Sequence, residues 1–363
     1  MRSSSTRRLS AISAAMSLLE PTSGRSANAE STVNATVRPR VELDNGALRV
    51  VVDLAGGSIC SVTAPESDVN PLSFGHPPSS AEVEPTAMGH FLCCERWGPA
   101  SEAEQAEGQT WHGEASKTLW ELSTGSTPEA ATMSVSLSMS GLSITRHMRL
   151  LKGAPVMLVT ETVTNERGQG RLYNIVQHPS IGAPFLSEGT VVDSNATEGF
   201  AQAPRVGATD SVEKPVLPPV PTFRFPTTTN PSKTATQLRT MAGAGADDVA
   251  SYVLPADASH GWCTATSRLP NAAALTFGYI WPAADYPWLS LWRSNVDDGG
   301  GGGGSGGRHA RYARGLEFGS SGLHQPFEVL AAVGPVMGRP VVHWLEPRAS
   351  CTRQYRLRYI IRP

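Results

Sequence analysis

The chain has 363 residues, 40% of them hydrophobic, with a mean hydropathy of −0.19: enough apolar material for a large core, and too polar for a bundle of membrane spans. Asp, Glu, Lys and Arg make up only 17%, against about 25% in an ordinary soluble protein, while 35 Gly and 28 Pro break the chain often. This excludes helical bundles and coiled coils, which need charged, Ala-rich surfaces and few breakers, and a net charge of −2 argues against a broad nucleic-acid surface.

In chain order, residues 1–29 read as an export signal. Arg2, Arg7 and Arg8 form a positive start, Leu9 to Leu19 a short apolar stretch, and Ala27-Asn28-Ala29 a cleavage site. Ser5-Thr6-Arg7-Arg8-Leu9-Ser10 resembles a twin-arginine signal, which predicts a periplasmic or secreted protein. Residues 30–40 follow as a flexible segment, and residues 41–363 as one domain.

From Val41 onward the pattern alternates. Leu48, Val50, Val52 and Leu54 alternate up to Gly56-Gly57. Met133, Val135, Leu137 and Met139 alternate with serines, and Leu142, Ile144, Met148 and Leu150 resume after the break at Gly141, as in a hairpin. Val156 to Val163, Ala272 to Ile280 and Tyr355 to Ile361 complete the clearest strands. No long amphipathic helix is visible. The predicted class is all-β, a large antiparallel sandwich. Ala203–Ser232, rich in Pro and Thr, and the glycine run 299–307 read as long loops within that domain.

The five cysteines, at 60, 93, 94, 263 and 351, form no CxxC and are odd in number, so buried free thiols are expected. No Asp-rich loop has calcium-ligand spacing, and neither a metal nor another cofactor is predicted. Outside the leader no run of 18 apolar residues occurs, so no integral membrane segment is expected.

Ionisable residues gather in four places, each beside Gly or Pro and each expected at a strand end or loop: Glu95-Arg96-Trp97-Gly98-Pro99, Trp111-His112-Gly113-Glu114, Gln177-His178-Pro179 and Gly315-Leu316-Glu317-Phe318-Gly319. Trp288, Ser290 and Trp292 share one strand face, and their indoles could stack on sugar rings or pack in a core. Asp285 heads that segment. The remaining histidines, among them His90, His324 and His343, default to structure or surface.

These elements, taken in order, resemble the galactose mutarotase-like superfamily, the aldose 1-epimerases and their relatives. Leu43–Val62 resembles the family's first strand pair. Trp111-His112-Gly113 with Trp120 resembles its H-G-x-x-R element, with Ser116 in place of Arg. His178 follows the Thr162-Val163-Thr164-Asn165 strand end as the family's second His does. Glu317 stands where the family has a catalytic Glu in a G-x-E-P turn, with Phe318 replacing Pro.

The resemblance implies a β-supersandwich and a carbohydrate ligand, and the net charge of −2 gives no expectation of a nucleic-acid partner. It implies Glu317 as base, His178 as acid and His112 as a polarising His, placed on opposite sides of the sugar. Arg96 would hold sugar hydroxyls by the same analogy; Trp288, Trp292, Asp285 and Glu114 are the further candidate sugar contacts. The implied activity is interconversion of sugar anomers. The alternatives are a non-catalytic carbohydrate-binding protein, or a lyase- or hydrolase-related protein on the same fold.

Overall fold

A computed structural model describes residues 38–75, 84–202, 222–229, 234–297 and 310–362. The expected export signal, most of the 30–40 segment and of Ala203–Ser232, and the glycine run 299–307 lie outside the described residues. Thr36–Pro363 clusters into one compact unit.

The alternation seen in the sequence builds two large sheets. The ten-stranded sheet runs, in spatial order, Arg40–Asp44, Arg49–Asp53, Ser58–Thr63, His90–Cys93, Val176–Gly182, Ala310–Gly319, Trp288–Asp297, Ala246–Val253, Glu198–Ala201 and Phe223–Arg224. The eight-stranded sheet runs Val191–Ser194, His260–Arg268, Ala274–Pro282, Ser350–Arg362, Val156–Asn165, Leu142–Leu150, Ala130–Leu137 and Glu121–Leu122. Every pairing among these strands is antiparallel. The expected hairpin is present: Leu137 pairs with Leu142 around a turn in which Gly141 takes φ +69°. Among the described residues helix is confined to Glu102–Ala106, Phe327–Val333 and a 3-10 turn at Ala115–Lys117. None of these is long and apolar enough to cross a membrane.

Period-two side chains give each strand one buried face. On the Leu142 strand, Leu142, Ile144, Met148 and Leu150 are buried while Thr145, His147 and Arg149 are exposed. Those apolar faces meet the inner face of the ten-stranded sheet, where Leu289, Leu291, Leu316 and Phe318 are fully buried. All five cysteines are free, four of them buried.

The core also holds a polar chain. Arg146 donates to Glu161 at 2.7 Å, Glu161 accepts from the Gln177 amide, and Gln177 Oε1 lies 3.0 Å from His90 Nε2. Tyr279 hydroxyl lies 3.0 Å from His90 Nδ1. Since Gln177 spends its amide on Glu161 and accepts through Oε1, His90 carries its proton on Nε2 and accepts from Tyr279. Burial holds His90 well below the ordinary imidazole range, and the Arg146 charge adds to that effect. Arg146, Glu161, Gln177, His90 and Tyr279 thus each find a partner within this network, as a low-dielectric interior favours.

One expectation is corrected. His178 and Glu317 do not sit at strand ends or in turns; both lie within strands, Val176–Gly182 and Ala310–Gly319. Phe318 explains the second case. It pairs with Gln177 and carries the ladder on to Gly319, where a Pro would lack the backbone donor.

Candidate active site

Register decides which side chains meet. Gln177 pairs with Phe318 and Ser180 with Gly315, which sets His178 beside Glu317. His178 pairs with Phe91 on its other side, and Glu317 with Ser290. Phe318 and Gln177 point into the core, so their chain neighbours Glu317 and His178 point to the opposite face of the ten-stranded sheet, away from the eight-stranded one. Two irregular segments fold over that face. One brings Trp97, Trp111 and His112; the other brings His324.

The contacts are close. Glu317 Oε1 lies 3.3 Å from His178 Nε2. Glu317 Oε2 accepts from the Trp97 indole N–H at 2.7 Å. His178 Nδ1 lies 3.0 Å from Ser180 Oγ, and its ring stacks on Phe91 with centroids 4.2 Å apart. The rings of His112 and His178 are 5.4 Å apart, as are those of His112 and His324. Trp292 packs 6.3 Å from His178 and donates to Asp247 Oδ1 at 2.8 Å. Glu317 and His178 are buried, whereas Trp111 is 38% exposed; the cluster thus runs from a covered carboxylate to an open aromatic rim.

His112 is set by backbone as much as by packing. Its own N–H donates to Gly98 O at 3.0 Å, and the Gly98 N–H donates to His112 Nδ1 at 3.1 Å. An accepting Nδ1 leaves the ring proton on Nε2, so His112 is held as a neutral donor. Gly113, at φ +76°, follows; a Cβ there would lie 2.4 Å from Cys94 O, so only glycine lets this loop close on the sheet. That is the physical content of the His-Gly pair read in the sequence.

Of the eight predicted site residues, four come together: Glu317, His178, His112 and Trp292. The other four are committed elsewhere. Arg96 spends its guanidinium on Glu95 at 2.8 Å and on both carboxylate oxygens of Glu104 at 2.7 and 3.0 Å, so it has no fork left for sugar hydroxyls. Glu114 accepts from the backbone N–H of Met139 and Ser140, closing the 138–141 turn. Trp288 shares a face with Trp292, as expected, but is fully buried against Phe200, Leu323 and Leu330, with its N–H on Pro340 O. Asp285 accepts from the Gln354 backbone on the eight-stranded sheet, and burial raises its carboxyl.

Several members were missed. Trp97 and Trp111 lie inside the Glu95–Pro99 and Trp111–Glu114 segments, where local sequence assigns them no role. His324 stands two residues before Pro326, a Pro-flanked setting like that of His178 beside Pro179. Phe91 and Asp247 gave no local signal; only strand register brings them in. Among the described residues no group of three or more His, Cys, Asp or Glu is placed to hold a metal.

No family model matches the chain, and no curated protein matches it. Solved structures do. A galactose mutarotase related enzyme from Lactobacillus acidophilus aligns with a TM-score of 0.58 and 13% identity over 89% of this chain and 97% of that one. A galactose mutarotase-like protein from Clostridium acetobutylicum aligns with a TM-score of 0.57 and 11% identity over 89% and 95%. At such identities the likeness shows the fold, and the fold is the galactose mutarotase-like β-supersandwich.

Proposed function

We propose that this protein binds a pyranose sugar at the Glu317–His178–His112 cluster and interconverts its anomers. The observation that carries the reading is the direct contact of Glu317 with His178, 3.3 Å apart, with His112 beside them under an aromatic rim.

Mutarotation needs a base on the anomeric hydroxyl and an acid on the ring oxygen. Both oxygens are bonded to the same carbon, so acid and base must lie close together. The sequence expectation of groups on opposite sides of the sugar changes accordingly: Glu317 and His178 stand side by side on neighbouring strands. Glu317 takes the anomeric O–H proton while the bond from the anomeric carbon to the ring oxygen breaks. His178, protonated, gives its proton to that oxygen, and the open-chain aldehyde is formed. Rotation of the aldehyde and the reverse proton transfers close the other anomer, with no net change in atoms or charge. His112, a fixed Nε2–H donor, suits a sugar oxygen that gains charge as the ring opens. Trp97 holds the carboxylate by one oxygen and leaves the other facing His178.

Anomer exchange of a panel of free sugars, followed by NMR or polarimetry, tests the reading. Wild type accelerates exchange, and Glu317→Gln and His178→Ala do not. Equal rates for wild type and both variants on every sugar would overturn it. A second reading, sugar binding without catalysis, is favoured by the indoles of Trp97, Trp111 and Trp292 around the cluster. It predicts calorimetric binding of a sugar with no exchange.

A further inference from the structure

The outer face of the eight-stranded sheet, on the far side of the sandwich from the His–Glu cluster, segregates charge. Register places Trp262, Ile280, Arg356, Leu158 and Arg149 in one row across five strands. Arg358 stands two residues along its strand from Arg356. Arg268 and Arg362 both pair with Ala274 and form a second basic row. All five arginines point to solvent, and none has an ion-pair partner among the described residues. No Asp or Glu takes an outward position on the five strands of that row. The whole chain nonetheless has a net charge of −2.

Neighbouring strands lie about 4.8 Å apart, and outward residues along one strand about 6.7 Å apart, so Arg149, Arg356 and Arg358 fall within about 12 Å of one another and all five within roughly 30 Å. Surface charges act within about 8 Å of one another at physiological salt, and a concentrated patch attracts a multivalent anion far better than a single ion. Threonine and serine share the rest of the face with apolar residues such as Val156, Leu158, Ile280 and Ile360, and Trp262, 37% exposed, ends the upper row. Guanidinium forks suit carboxylates, hydroxyl side chains suit ring hydroxyls, and an open indole suits the C–H face of a sugar. The face is a flat run of strands without a protruding apolar loop, which suits an extended polymer better than a bilayer.

We propose that this face docks an acidic, carboxylate-bearing polysaccharide, held by Arg149, Arg356 and Arg358 with Trp262 stacked on one sugar ring. The proposal goes beyond the sugar-binding reading of the His–Glu cluster and uses none of its residues, so loss of one leaves the other standing.

The test uses the full chain and polygalacturonate as probe, followed by affinity electrophoresis and calorimetry. Wild type is expected to bind polygalacturonate and not neutral dextran, and to bind more weakly as salt rises. The double variant R356E/R358E is expected to lose at least about tenfold in affinity, and W262A several-fold, with circular dichroism and anomer exchange unchanged. R149E/R268E serves as a second charge reversal if the first disturbs folding. No binding to polygalacturonate, or binding that both charge reversals leave intact, would overturn the proposal. Equal or tighter binding to phosphatidylglycerol vesicles or to duplex DNA would also overturn it, by assigning the face to a different partner.

Discussion

The Trp97 indole N–H meets Glu317 Oε2 at 2.7 Å across 220 residues of sequence. This bond fixes one oxygen of the carboxylate and turns the other toward His178. Trp97→Phe keeps an aromatic ring beside His324 and removes the donor together with part of the indole. The expected result is a kcat for anomer exchange about tenfold lower, the equivalent of ~1.4 kcal/mol, with KM little altered. A kcat equal to wild type would show that the bond does no catalytic positioning.

His90 makes stability depend on pH in a stated direction. Burial, with the Arg146 charge adding, places its folded-state pKa well below the ordinary 6.5. The unfolded chain then binds the proton more readily than the folded one, so stability is full above about pH 6.5 and falls as pH drops below it. His343, also lowered by burial and by Arg353, acts with the same sign. Urea unfolding of wild type and His90→Gln between neutral and mildly acidic pH checks this; the variant is expected to lose less stability across the window.

Glu114 holds backbone rather than joining the His–Glu cluster. Its carboxylate accepts from two backbone N–H groups, at 3.1 and 2.6 Å. Glu114→Ala strands both, and a loss of about 2–3 kcal/mol is expected from hydrogen bonds to a charged acceptor. Chemical denaturation measures it. Anomer exchange per folded molecule is expected to stay at the wild-type rate.

Two buried arginines are predicted to behave in opposite ways. Arg146 is paired with Glu161 at 2.7 Å, both almost wholly buried. Glu161→Leu alone leaves that guanidinium uncompensated and is expected to cost about 3–5 kcal/mol. Arg314 is also fully buried, but none of its three nitrogens has a hydrogen-bond partner among the described residues. Burial pushes its pKa down to about 9. Arg314→Met replaces an unsatisfied charge by an apolar chain of similar length, and a gain of about 1–3 kcal/mol is expected. Thermal unfolding of the two variants reads both signs.

How much of this was legible depended on distance along the chain. The strands at Leu142–Leu150 and Ser350–Arg362 announced themselves by alternation, because burial on one face repeats every two residues. His112-Gly113 was legible because a loop pressed onto backbone demands a glycine. Arg96 misled for a physical reason: an Arg beside Trp and Gly looks the same whether its fork is open or closed by Glu95 and Glu104. Glu104 sits on a separate helix, and the bond depends on how that helix folds back. Trp288 misled likewise: at its end of the face the segment carrying Leu323 and Leu330 buries it, whereas Trp292, also buried, packs against Phe74 and His178.

The amino-acid sequence by itself determined the class of structure. Low charge, frequent Gly and Pro and period-two patterning leave antiparallel sheets as the way to bury this chain, and the order of its motifs resembles that of the galactose mutarotase-like superfamily. The tertiary structure alone decided which residues form the cluster. A site on a sheet is assembled by register between strands far apart in sequence, where a shift of one residue would send Glu317 into the core and Phe318 to the outside. Composition and spacing cannot encode that choice locally. It is made where Gln177 meets Phe318, and it brings His178, Glu317 and Trp97 into one place.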